Sequence, residues 1–128
     1  MEKKVSISHM SNAHTDWLRS LDFYKDEIKI LRDRLTEVAG KNTNREVMKE
    51  IEHFENQFDV QTQNIHKLVH DIQHNIKVAG REAHNSGAGY IDGALLEQHT
   101  LLGDRFQTEE KTVNELRQSF NRFASVYM

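Results

Sequence analysis

Apolar side chains recur along this chain at alternating intervals of three and four residues, in three blocks of similar length. This spacing keeps one stripe of an α-helix facing a partner helix, as it does in coiled coils. The chain contains no proline, the residue that most strongly interrupts a helix. The pattern therefore predicts three long helices, over about residues 6–39, 43–79 and 92–127, with a glycine-rich loop over 80–91.

The positions that define the three stripes are mostly large and apolar. In the first block they are Ile7, Met10, His14, Trp17, Leu21, Tyr24, Ile28, Leu31, Leu35 and Val38. In the second block they are Val47, Ile51, Phe54, Phe58, Gln61, Ile65, Leu68, Ile72, Asn75 and Ala79. In the third block they are Leu95, His99, Leu102, Phe106, Glu109, Val113, Leu116, Phe120, Phe123 and Tyr127. Because the blocks match in length, we predict an all-α fold: an antiparallel up-down-up bundle of three long helices with coiled-coil-like packing.

Residues typical of helix ends flank these blocks. Gly40 and Gly80 follow the first and second stripes, where a glycine commonly forms the C-terminal cap. Residues 43–46 read Thr-Asn-Arg-Glu, a capping-box pattern in which the Thr43 side chain accepts from one free backbone N–H and the glutamate returns to another. Asp92 is a favourable N-cap for the third helix.

Length, charge and missing motifs limit what the chain can be. Its 128 residues predict a single helical-bundle domain, 1–128. The net charge is −3 and no basic cluster is denser than Lys3-Lys4, so we expect no binding to nucleic acid. No apolar run is long enough for a signal peptide or a membrane span, and we expect a cytoplasmic protein. Cysteine and the common catalytic motifs are absent, so we expect no enzyme.

Two polar residues in the stripes are predicted to meet inside the bundle. The loop lengths place Gln61 level with Leu21 and Glu109, so that the amide can donate to the carboxylate while Lys25 compensates the charge from the flank. A polar pair of this kind fixes the register of packed helices, because any slipped alignment leaves it unpaired. The alternative is a carboxylate kept for proton or metal chemistry.

Two histidines also occupy stripe positions. His14 and His99 should meet near one end of the bundle, where two inward imidazoles can bind zinc or iron if His70 or Asp71 supplies a further ligand. We expect first a structural pair whose hydrogen bonds go to neighbours such as Gln98 and Asp71, and the metal site is the alternative. If both rings are buried and neutral, protonation between about pH 5 and 7 would favour opening of the bundle.

Three further histidines follow one another at four-residue intervals along the second helix. His66, His70 and His74 lie on the side opposite the apolar stripe, so we expect a solvated row. Adjacent members of such a row can also chelate a metal ion.

Four segments, taken in order, resemble the ligand series of hemerythrins. They are His14, then His53-Phe54 with Gln57, then His66-Lys67-Leu68-Val69-His70-Asp71, then His99-Thr100-Leu101-Leu102-Gly103-Asp104. The resemblance implies a di-iron, oxygen-binding centre in a four-helix bundle. Gln57 stands where that family pattern has a glutamate. The unbroken heptad phase from residue 54 to residue 72 predicts one helix where the family has a turn.

Several apolar residues lie outside the stripes. Phe23 and Ile30 fall on the outer side of the first helix, and Met48, Val69 and Ile76 on a flank of the second. They either widen the seam between the helices or form an interaction surface. We expect a non-enzymatic helical interaction or scaffold protein without a cofactor, which binds its own copies or another helical protein. The alternative is a histidine-ligated bundle, hemerythrin-like with two irons or with a single zinc or iron.

Overall fold

The computed structural model describes residues 7–86 and 93–127. These residues form three helices, the first two of which are connected by residues 42–44. The helices are α1 (Ile7–Lys41), α2 (Arg45–Ser86) and α3 (Gly93–Tyr127). Each helix packs against both others, so the predicted three-helix bundle is confirmed. None of the three described helices is long and apolar enough to cross a bilayer.

Contacts between side chains give the direction of each helix. Tyr24 bonds Glu110 and Arg34 bonds Asn121, so α1 and α3 advance together along the bundle. The helix between them returns in the opposite direction, since only three residues separate α1 from α2. The order is therefore up, down, up.

The apolar stripes form the core, as their spacing predicts. Four phenylalanines pack together in the half of the core where α2 begins and α3 ends, with ring centroids 5.1–6.3 Å apart: Phe54, Phe58, Phe120 and Phe123. Phe58 and Phe120 are fully buried. A second, smaller group of buried apolar residues lies at the far end of the bundle and consists of Met10, Ala79 and Leu95.

The end of α1 is closed by a side chain and not by a glycine. The Asn42 Nδ2 donates to the Val38 carbonyl at 2.8 Å and to the Tyr127 carbonyl at 3.3 Å. Gly40 lies within the helix and has no left-handed backbone, so its predicted role as the C-terminal cap is wrong. The asparagine satisfies a free carbonyl of the last turn and ties it to the end of α3.

The start of α2 is capped one residue later than the sequence pattern suggests. The Asn44 Oδ1 accepts from the Glu46 N–H at 2.8 Å, and the Asn44 carbonyl accepts from the Met48 N–H at 2.9 Å. Asn44 is therefore the N-cap, and the capping box predicted for Thr43 is wrong. The helix begins at Arg45, which leaves Thr43 one position too early.

The second helix is longer than predicted, because it continues through Gly80 to Ser86. The loop predicted over 80–91 is therefore wrong for residues 80–86. Ala79 packs against Met10 and Leu95, and the helix continues beyond it although a glycine inside a helix costs about 1 kcal/mol. Residues 87–91 and the predicted N-cap Asp92 lie outside the described residues.

Candidate functional site

Among the described residues, four buried polar side chains interrupt the core: His14, Gln61, Asn75 and Glu109. They belong to two separate layers. The histidine layer consists of His14, Trp17, Asn75 and His99 and lies toward the end of the bundle where α3 begins. The carboxylate layer consists of Gln61 and Glu109 and lies nearer the middle.

The two histidines predicted to meet inside the bundle do so. His14 is fully buried, and its Nε2 lies 3.1 Å from the Nδ1 of the partly buried His99. The rings are 5.0 Å apart at an interplanar angle of 62°. This geometry suits a hydrogen bond in which one neutral ring donates its N–H to the other ring.

An indole ring covers both imidazoles. Trp17 stacks on His99 with centroids 4.9 Å apart and contacts His14 at 5.3 Å. Its approach to α3 depends on Gly103, where an added Cβ would lie 3.2 Å from the Trp17 Cζ2. The glycine thus leaves room for the ring that closes one side of the layer.

Asn75 contributes an amide to the same layer. Its side chain faces His14 and is only 3% exposed. Among the described residues, its Oδ1 and Nδ2 and the Nδ1 of His14 have no hydrogen-bond partner. Asn75 also lines a pocket of about 290 Å³ between α2 and α3, together with Leu95 and Gln98. The layer therefore holds three buried polar atoms without a hydrogen-bond partner among the described residues, and the side chain that carries two of them lines this pocket.

Burial keeps both imidazoles neutral at pH 7. It lowers the pKa of His14 from 6.5 to about 4, helped by the nearby His99 and opposed by the amide of Asn75. The pKa of His99 is also lowered, first by burial and then by His9. Each ring therefore keeps one nitrogen lone pair free of a proton.

The two further metal ligands predicted from the sequence lie elsewhere. Asp71 accepts from Arg105 at 2.8 Å, and the His70 side chain is 82% exposed and 3.4 Å from Asp71. Within the described residues, no three histidine, aspartate or glutamate side chains are grouped to hold a metal ion. The predicted set of His14, His99, His70 and Asp71 is therefore not assembled. Asn75 was not predicted to belong to this layer, although its polar side chain interrupts an apolar stripe.

The four segments that resemble hemerythrins do not come together at one site in the structure. Residues 54–72 belong to one continuous helix, and the described chain has three helices instead of four. His14 and His99 meet, but four of the other residues in the series have exposed side chains: His53, His66, His70 and Asp104. The row of His66, His70 and His74 is solvent-exposed, as predicted.

The two side chains of the carboxylate layer meet, as predicted. With its amide nitrogen turned toward Glu109, Gln61 donates to the two carboxylate oxygens at 2.7 and 3.1 Å. Burial raises the pKa of Glu109 to about 7. The prediction that Lys25 compensates the charge of Glu109 is wrong, because the Lys25 ammonium group lies 3.4 Å from Asp22 and the side chain is 45% exposed. Rotation of the Gln61 amide allows the same pair to bond when Glu109 is protonated, since the amide oxygen can then accept.

The predicted interaction surface is only partly exposed. Phe23, Ile30 and Met48 are 61%, 60% and 37% exposed, in that order. Val69 and Ile76 are partly buried and pack against the core, as expected if they widen the seam between the helices. They widen the apolar seam of α2, which a helix with two neighbours requires. Three other exposed apolar residues were not predicted: Val60, Leu101 and Val126.

No known protein family, curated protein or solved structure matches this chain.

Proposed function

We propose that this protein is a non-enzymatic helical interaction protein that self-associates through the outer face of α1. The α1 face consists of Arg19, Phe23, Asp26, Ile30 and Asp33. The observation that carries the proposal is the 61% and 60% exposure of Phe23 and Ile30, which are seven residues apart and therefore lie on one side of the helix.

The exposed ring of Phe23 is held in place on this face by its neighbour Tyr24. Its ring packs edge-on against Tyr24 at 5.9 Å, and the Tyr24 hydroxyl donates to Glu110 on α3 at 2.6 Å. The exposed ring thus rests on a side chain that is tied to a neighbouring helix. A fixed aromatic side chain loses little conformational entropy on binding, which favours its use as a contact.

A second copy of this chain fits the α1 face when the two helices run antiparallel. A two-fold axis between residues 23 and 30 sets Phe23 of each copy opposite Ile30 of the other. The same axis brings Arg19 to within one residue of the level of Asp33, close enough for two pairs of opposite charge. Asp26 meets its own copy near the axis, so one pair of like charges opposes the contact. The apolar patch is small for an obligate dimer, and we expect association that depends on concentration.

Light scattering behind a sizing column, over a range of protein concentrations, tests this proposal. The wild-type mass should rise toward twice the 15.0 kDa of one chain. Phe23→Lys removes an apolar contact from both copies, about 2–4 kcal/mol per dimer, and should weaken association at least tenfold. Leu101→Lys is the matched control, because this residue is 56% exposed on α3.

The control variant should associate like the wild type. A wild-type protein that stays monomeric at every concentration would contradict the proposal. Equal weakening by Phe23→Lys and Leu101→Lys would show that association does not use the α1 face.

A further inference from the structure

We infer that the histidine layer binds one divalent transition-metal ion of the zinc type, through the Nε2 of His14 and the Nδ1 of His99. The two nitrogens lie 3.1 Å apart and come from different helices, α1 and α3. Imidazole nitrogen is a good ligand for zinc, cobalt and nickel. This site is separate from the α1 face and does not depend on self-association.

The separation of the two nitrogens fits a shared ion. Two nitrogens that each lie 2.0–2.1 Å from one ion are ~2.9 Å apart at a right angle and ~3.3 Å apart at a tetrahedral angle. The observed 3.1 Å falls between these values. Metal binding replaces the hydrogen bond between the two rings, and both imidazoles turn so that their lone pairs converge on an ion that lies beside the line joining the two nitrogens.

Asn75 completes the surroundings of such an ion. When the His14 Nε2 binds the metal, its Nδ1 carries a hydrogen, and a ligating histidine usually donates this hydrogen to an oxygen. The Asn75 side chain faces His14, and its Oδ1 has no partner among the described residues. It is therefore the acceptor that would orient the ring. This role accounts for a buried amide at a position where the stripe is otherwise apolar.

The remaining coordination positions of the ion open toward water. Zinc takes four ligands, and the layer supplies two imidazoles. Asn75, which faces His14, also lines a pocket with Gln98, and we infer that water reaches the ion from this pocket past the Asn75 amide. With two protein ligands and no carboxylate, the site should bind more weakly than structural zinc sites with four protein ligands.

The fluorescence of Trp17 can report whether a metal ion occupies the histidine layer. It is the only tryptophan of the chain, and its ring stacks on His99 at 4.9 Å. Paramagnetic Co²⁺ held by His99 should quench its fluorescence. We would titrate untagged, chelator-treated protein with Co²⁺ and expect saturable quenching with one ion per chain, reversed by diamagnetic Zn²⁺.

Variants separate this site from binding at the surface. The triple variant His66→Gln, His70→Gln, His74→Gln removes the exposed histidine row and should keep the quenching. His99→Gln should weaken Co²⁺ binding at least tenfold, with circular dichroism as the check on folding. Asn75→Ala keeps both ligands and should weaken binding about 10- to 100-fold. It serves as the second variant if His99→Gln does not fold.

Two results would overturn the inference. One is wild-type protein whose Trp17 fluorescence shows no saturable response to Co²⁺, which would leave a simple hydrogen-bonded pair of histidines. The other is quenching that disappears in the triple surface variant and persists in folded His99→Gln or Asn75→Ala, which would place the ion on the exposed row.

Discussion

Replacing Glu109 with glutamine should make the bundle less sensitive to a rise in pH, because the wild type loses stability when the buried carboxyl of Glu109 releases its proton. Glu109 is 7% exposed, and burial raises the pKa of its carboxyl from 4.5 in the unfolded chain to about 7. The folded protein therefore holds this proton at pH values where the unfolded chain has released it. The contribution of Glu109 to stability is fully present below pH 4.5 and is lost as the pH rises through 7.

The size of the effect follows from the two pKa values. Each pKa unit corresponds to 1.36 kcal/mol, so a rise from 4.5 to about 7 gives ~3 kcal/mol as an upper value. Glu109 also lines an open groove between α2 and α3, where water can solvate the carboxylate, and we expect ~2–3 kcal/mol. Glutamine has nearly the same shape and can bond the Gln61 amide at every pH, so Glu109→Gln removes the titration and keeps the contact.

Urea denaturation of wild type and Glu109→Gln at several pH values between 4 and 8.5 measures this directly. As the pH rises from 4.5 to 8, the free energy of unfolding of Glu109→Gln should increase by ~2–3 kcal/mol relative to that of the wild type. Glu115→Gln, an exposed substitution on the same helix, should give a profile parallel to that of the wild type. Parallel profiles for Glu109→Gln and wild type would refute the assignment of a buried, proton-binding carboxyl.

Three other predictions test the helix ends and the histidine layer. In the presence of a chelator, the free energy of unfolding of the wild type should fall by up to ~3 kcal/mol as the pH falls from 6.5 toward 4, because the pKa of His14 is lowered to about 4. Denaturant melts of His14→Phe should show a smaller fall over the same pH range. Gly80→Ala should raise the free energy of unfolding by about 1 kcal/mol, since a Cβ there meets open space. Gly103→Ala should give no gain, because its Cβ would lie 3.2 Å from a tryptophan carbon; a gain equal to that of Gly80→Ala would contradict this contact. Asn44→Ala should cost about 1 kcal/mol and Thr43→Ala almost nothing in the same melts, and the reverse order would restore Thr43 as the cap.

The architecture could be predicted from the sequence because the heptad pattern and the core have the same physical cause. A stripe of large apolar residues must be buried, and three stripes of equal length have few ways to bury one another. The meeting of His14 with His99 and of Gln61 with Glu109 followed from the same pattern. These pairs occupy stripe positions, so the packing that buries their apolar neighbours also brings them together.

The sequence was less informative where several local interactions compete. Gly80 suggested a helix end, but α2 continues through it to Ser86. Val69 and Ile76 could lie on the surface or in the seam, and the choice depends on how α2 turns toward its neighbours. Asn75 was visible as a polar residue within a stripe, but its position beside His14 required the rotation and register of three helices.

Cross-linking through a single introduced cysteine tests self-association at the α1 face most directly. The chain contains no cysteine, so Asp26→Cys carries the only thiol, close to the proposed two-fold axis. The substitution also removes the one pair of like charges there. A short bismaleimide should link Asp26→Cys chains into covalent dimers in proportion to protein concentration. It should link few chains of Gln63→Cys, whose thiol is exposed on α2. Equal yields of dimer from the two variants, or none from Asp26→Cys, would contradict self-association through the α1 face.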